Sequence, residues 1–152
     1  MERYPAWSPD GREIVFSRDD SGVQNDIYTI RPDGSHVRPL ADTPADEEYA
    51  NWSPDGTRIA FHSDAATPGV QWDVYVMRSD GGSPPTQLTT NYGTHPAWSP
   101  NGRKIVFGLN DDLYTMRADG THQKQRTVQP GFDNHADWQP LPKGSRTEED
   151  DD

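Results

Sequence analysis

The sequence predicts an all-β fold built from repeated four-stranded antiparallel sheets, and three observations carry that expectation. A tryptophan motif recurs at near-constant spacing, short apolar segments follow each copy at fixed distances, and no segment shows helical periodicity. The motif reads Trp7-Ser8-Pro9-Asp10-Gly11, then Trp52-Ser53-Pro54-Asp55-Gly56, then Trp98-Ser99-Pro100-Asn101-Gly102, and decays to Trp138-Gln139-Pro140. The tryptophan spacings are 45, 46 and 40.

Each unit divides into four strands, a to d. Strand a ends at the tryptophan, as in residues 4–7. Ser, Pro and Gly then sit where a type I turn favours them, because Pro presets φ. Strand b carries a phenylalanine nine residues after each tryptophan (Phe16, Phe61, Phe107) and covers residues 13–17, 58–63 and 104–108. Strand c holds Asp-apolar-Tyr at Asp26-Ile27-Tyr28, Asp73-Val74-Tyr75 and Asp112-Leu113-Tyr114, within residues 26–30, 73–77 and 112–116. Five residues beyond each tyrosine lies Asp-Gly, which supplies positive φ for a hairpin turn. Strand d is weaker, at residues 37–40, 86–89 and 125–128. Four short strands in a Trp-bearing unit of this length describe a β-propeller blade. The expected chain is three blades over residues 1–142, plus one extra inner strand at Trp138 and a disordered acidic tail over residues 143–152. Trp, Phe and Tyr then form the core between blades, Trp52 included. The repeated Asp and Gly serve turns.

These residues resemble the TolB-type propeller repeat, a WD-repeat-like family. Its pattern is matched by Pro5-Ala6-Trp7-Ser8-Pro9-Asp10-Gly11, Ile14-Val15-Phe16, Ile27-Tyr28 and Asp33-Gly34, with Leu88-Thr89 in the second unit. The resemblance covers residues 4–140 and implies a propeller, often six-bladed, that serves as a protein-interaction platform or an accessory domain of larger enzymes. It also implies a periplasmic or cell-envelope setting. It marks scaffold positions and no catalytic residue.

The net charge of −11 repels phosphate backbones and anionic lipid, which argues against nucleic-acid and membrane partners. There is no cysteine, hence no disulfide and no thiolate metal site. No apolar run has the length of a membrane helix, and Met1-Glu2-Arg3-Tyr4-Pro5 shows no basic-then-apolar leader within this chain. Nucleophile elbows, His-Glu-x-x-His and phosphate loops are missing from the sequence. The many carboxylates leave a glycosidase pair open.

A meander puts the a–b and c–d turns on one side and the b–c loops with the d-to-a crossovers on the other. The second side varies between units, as binding loops do. Its b–c loops are residues 18–25, 64–72 and 109–111, and its crossovers are 41–49, 90–95 and 129–135. Glu48, Tyr49, Tyr92, His95, Phe132 and His135 are the candidate ligand-binding face, with Asp42, Asp46, Glu47 and Asp133 nearby. The same composition also fits a solvated acidic rim. His95 and His135 each lie three residues before a tryptophan, where Tyr4 and Tyr49 stand in the other units. Converging there with Glu48 or Asp133, they could hold a divalent metal at the channel mouth, or simply pack at strand ends. Asp19-Asp20 and Asp111-Asp112 lack the ligand spacing of a calcium loop.

The sequence therefore predicts a non-catalytic scaffold that binds a protein or peptide. The alternative is a metal-dependent hydrolase at the channel mouth. Three blades leave two end faces, so a homodimer closing a six-bladed ring is the expected assembly, with residues 4–7 and the partner's last strand competing for one slot; the alternative is that the chain is a fragment of a longer propeller and the extra strand a remnant.

Overall fold

A computed structural model describes residues 1–20, 22–41, 43–128 and 136–138. The strands are β1 (Glu2–Trp7), β2 (Ile14–Arg18), β3 (Asp26–Ile30), β4 (Arg38–Ala41), β5 (Glu47–Trp52), β6 (Arg58–Thr67), β7 (Gln71–Arg78), β8 (Thr86–Gln87), β9 (Thr94–Trp98), β10 (Lys104–Leu109), β11 (Asp112–Arg117) and β12 (Lys124–Gln125). They form three antiparallel sheets in chain order, β1 to β4, β5 to β8 and β9 to β12, with no helix among the described residues. These are the three predicted blades. The predicted tail, residues 143–152, lies outside the described residues.

The tryptophan motif closes each β1–β2-type hairpin by hydrogen bonding. Gly11 N donates to Ser8 O at 2.9 Å, and Glu13 N donates to Ser8 Oγ at 2.9 Å, while Ser8 Oγ donates to Asp10 Oδ1 at 2.7 Å. Ser53, Asp55 and Gly56 repeat the arrangement, as do Ser99, Asn101 and Gly102. Gly11, Gly56 and Gly102 sit at φ of 70, 71 and 70°, where a side chain would be strained. Asp55 is held down to about 2, first by the Ser53 hydroxyl and then by the Thr57 amide.

The aspartate of Asp-apolar-Tyr does something other than the expected turn chemistry. Asp73 is fully buried and accepts from Thr89 Oγ1 at 2.9 Å, while Thr89 Oγ1 accepts from Val74 N at 2.9 Å. Asp112 and Thr127 repeat this clamp between the third and fourth strands of their blade. In the first blade Ala41 stands at the threonine position.

Two seams hold the blades together. Val15, Ile27 and Ala41 of the first blade meet Ile59, Phe61, Tyr75 and Met77 of the second. Ala60, Val74 and Val76 on the other face of the second blade meet Trp98, Ile105, Phe107 and Met116 of the third. Alternation of side chains along each strand gives every blade one face for each neighbour. The tryptophans consequently differ. Trp98 is 6% exposed, Trp52 is half-buried, and Trp7 is 60% exposed because its face of the first blade meets no preceding blade among the described residues. Trp52, expected to be buried between blades, is packed against the first seam but only half-buried. Residues 64–72, expected as a loop, instead extend the β6–β7 hairpin, with Thr67 paired to Gln71.

Candidate functional site

The first strand of every blade breaks register at the same place. The irregularity lies between Arg3 and Ala6 in β1, between Glu48 and Asn51 in β5, and opposite Val106 and Gly108 in β9. At each break one residue adopts positive φ: Tyr4 at 53°, Tyr49 at 56° and His95 at 50°. None of these is a glycine or asparagine, so each bulge carries a backbone cost that the packing must offset. The bulges re-aim three rings into one column. Tyr4 stacks on Tyr49 with centroids 3.7 Å apart, and Tyr49 meets His95 edge-on at 4.1 Å.

A second layer flanks the column. His62, on β6, lies 4.9 Å from the Tyr49 ring, 5.2 Å from His95 and 4.7 Å from Trp72. It is 4% exposed. His95 N donates to His62 Nδ1 at 3.1 Å, so a proton on the neutral ring belongs to Nε2. That nitrogen faces Glu48 Oε2 at 3.9 Å, and Glu48 also accepts from Asn25 Nδ2 at 2.9 Å. The Tyr49 phenol is pushed up to about 12, first by burial and then by its hydrogen bond with Tyr4. An open trough of about 360 Å³ runs past the column, lined by Tyr4, Pro5, Tyr49, Asn51, His95 and Pro96 among others.

The structure thus brings together Glu48, Tyr49 and His95 from the predicted face. Tyr92 is 49% exposed and lines a separate shallow pocket with Asn110 and Asp111. Glu47 is buried and accepts from the Thr43 hydroxyl, and Asp46 accepts from Asn25 N. Phe132, Asp133, His135 and Asp42 lie outside the described residues, so the His95–His135 pair falls outside them as well. No three His, Asp or Glu side chains among the described residues gather closely enough to hold a metal ion.

Sequence reasoning missed His62 and Trp72, although the repeat marks both. The residue after the strand-b phenylalanine is Ser17, His62 or Gly108, and the residue before the strand-c aspartate is Asn25, Trp72 or Asp111. The second blade departs at both positions toward a large ring; His62 stands beside Tyr49 and His95, and Trp72 stands beside His62.

Comparison with known proteins bears on the scaffold. The model of the TolB beta propeller domain matches residues 1–107. Among solved structures, a putative TolB from Agrobacterium tumefaciens superimposes with a TM-score of 0.73 and 25% identity, over 82% of this chain and 48% of that one. TolB from Acinetobacter baumannii gives 0.69 and 23%, over 84% and 32%. An oligogalacturonate lyase in complex with manganese gives 0.63 and 17%, over 82% and 36%. The chain spans less than half the length of each of these structures. No sequence among curated proteins matches it.

Proposed function

Because the chain belongs to the TolB beta-propeller domain family, we propose that it acts as a binding scaffold, taking an extended segment of a protein or peptide along the trough beside Tyr4, Tyr49 and His95. One observation carries this reading: the two large rings by which the second blade breaks the repeat back this column, His62 standing 4.9 Å from Tyr49 and Trp72 standing 4.7 Å behind His62. Fold and function are separable in such repeats, and departures that converge on one place single that place out, here with His62 also tying the second seam. The chemistry fits. Aromatic faces and prolines offer rigid apolar area with little side-chain entropy to lose, and Tyr49 and Asn51 supply orienting polar groups. The family likeness also supports a cell-envelope setting.

The test is selection of binders from a random peptide library, followed by amide hydrogen exchange on the complex. Protection confined to the first strands of the blades, around residues 4–5, 49–51 and 95–97, is the expected result. Protection at the Asp-Gly turns of the opposite side would overturn the reading.

A further inference from the structure

One position on the second strand of each blade is filled in three different ways. Two residues after the strand's phenylalanine stand Arg18, Ser63 and Leu109. Alternation puts each on the sheet face of that phenylalanine and of the tyrosine opposite it, Tyr28, Tyr75 or Tyr114. In the first blade the Arg18 guanidinium lies over the Tyr28 ring, 4.0 Å from its centroid, and pairs with Asp20. In the third blade Leu109 is buried there. The second blade has only the short Ser63, and a pocket of about 280 Å³ forms beside it, with Phe61 and Tyr75 in its walls.

The register adds a charge. Glu2 stands opposite Arg18 in the first blade, and Glu47 stands opposite Ser63 in the second. The acid is kept while a hydroxyl replaces the cation. Glu47 is 1% exposed, accepts from the Thr43 hydroxyl at 2.8 Å, and lines the pocket. The floor of Glu47, Phe61, Ser63 and Tyr75 is buried, while Pro44 and Pro68 stand exposed at the rim. The third blade leaves no room for such a carboxylate. Gly93 precedes His95 by two residues, as Glu47 precedes Tyr49, and a Cβ at Gly93 would fall 2.5 Å from Thr89 Oγ1.

We infer that this pocket takes the guanidinium of an arginine side chain offered by a partner protein, supplying from outside the group that Arg18 supplies within the first blade. A guanidinium stacks on aromatic rings and sheds water more readily than an ammonium, and its alkyl stem lies well along proline and alanine. A carboxylate among apolar walls attracts it more strongly than one in open water. The volume falls just under the roughly 300–1,000 Å³ of small-molecule sites, which suits a single long side chain. The net charge of −11 favours a basic partner segment. Glu47 and Glu48 leave opposite faces of β5, and Glu48 is the one that faces His62 and the ring column. The pocket is therefore separate from the trough, and its occupation does not depend on a peptide lying there.

Titration of the full chain, followed by backbone amide NMR shifts, tests this with capped tripeptides that carry arginine, lysine or norleucine between two alanines. The arginine peptide is expected to shift the amides of Ser63, Tyr75 and residues 43–47, and to bind at least about tenfold more tightly than the other two. Glu47→Gln keeps an acceptor for the Thr43 hydroxyl and is expected to weaken arginine binding at least about tenfold. Ser63→Arg rebuilds the arrangement of the first blade, fills the pocket from within, and is expected to abolish the shifts. Circular dichroism checks that both variants keep their sheets. No shifts in the parent at about 20 mM arginine peptide, shifts confined to the trough, a lysine or norleucine peptide bound as tightly, or arginine binding unchanged in either folded variant would each overturn it.

Discussion

The backbone N–H of His95 donates to Nδ1 of His62 across the second seam, and this bond ties the bulge of β9 to the buried ring of β6. The consequence is that the column of rings and the blade stack share a hydrogen bond. His62→Ala should then cost stability twice over, through a cavity and through an orphaned His95 N–H, for about 2–4 kcal/mol in total. Chemical denaturation measures it. A loss below about 0.5 kcal/mol would show that the bond and the ring contribute nothing to the seam.

The three tryptophans of the intact motif predict a graded series. Trp98→Ala, at the most buried position and beneath the Arg58 guanidinium 4.5 Å from its ring, should cost about 3–5 kcal/mol. Trp52→Ala should cost less, and Trp7→Ala should stay within about 0.5 kcal/mol in the monomer. Equal losses at all three would mean that Trp7 is covered in solution by its own chain.

Thr89→Val should be worse than Thr127→Val. The first removes the hydroxyl that serves both Asp73 and Val74 N in a fully buried clamp, stranding a carboxyl and an amide. About 2–3 kcal/mol follows, against roughly 1 kcal/mol at the partly exposed Thr127. Thermal unfolding of the pair checks the order.

Acid should loosen the first two turns and spare the third. Asp10 and Asp55 are both held below the ordinary 3.8, first by Ser8 and Ser53 respectively, so the folded state binds their protons less readily than the unfolded state. Their contribution is present above about pH 4 and is lost as pH falls toward 2. Asn101 makes the same bonds in the third turn without a charge. Asp10→Asn with Asp55→Asn should therefore flatten the acid limb of the melting-temperature curve. An unchanged limb would place the acid sensitivity elsewhere.

The blades were legible because their signals are local. Ser-Pro-Asp-Gly fixes a turn by hydrogen bonds between neighbours, and β-branched and aromatic residues follow with period two. The fourth strands of the second and third blades were read too long, since β8 and β12 keep only two residues each, whereas β4 has the expected four, one residue further on. The bulges were not legible, because tyrosine, which fills two of the three positions, does not seek positive φ. Only packing between blades holds them there. Glu48, Tyr49 and His95 were found because the sequence assigned them to variable crossovers, although the structure places them at the starts of β5 and β9. His62 and Trp72 were overlooked because they lie on strands, where a large ring reads as core.

Restoring the repeat tests the central claim most directly. His62→Ser with Trp72→Asn gives the second blade the residues that the first carries at the same positions, Ser17 and Asn25. The measurement is the affinity of library-selected peptides for this variant and the parent by calorimetry, with strand content checked by circular dichroism. If the departures from the repeat build the binding site, the variant keeps its sheets and binds at least about tenfold more weakly. Unchanged affinity in a folded variant would contradict the account.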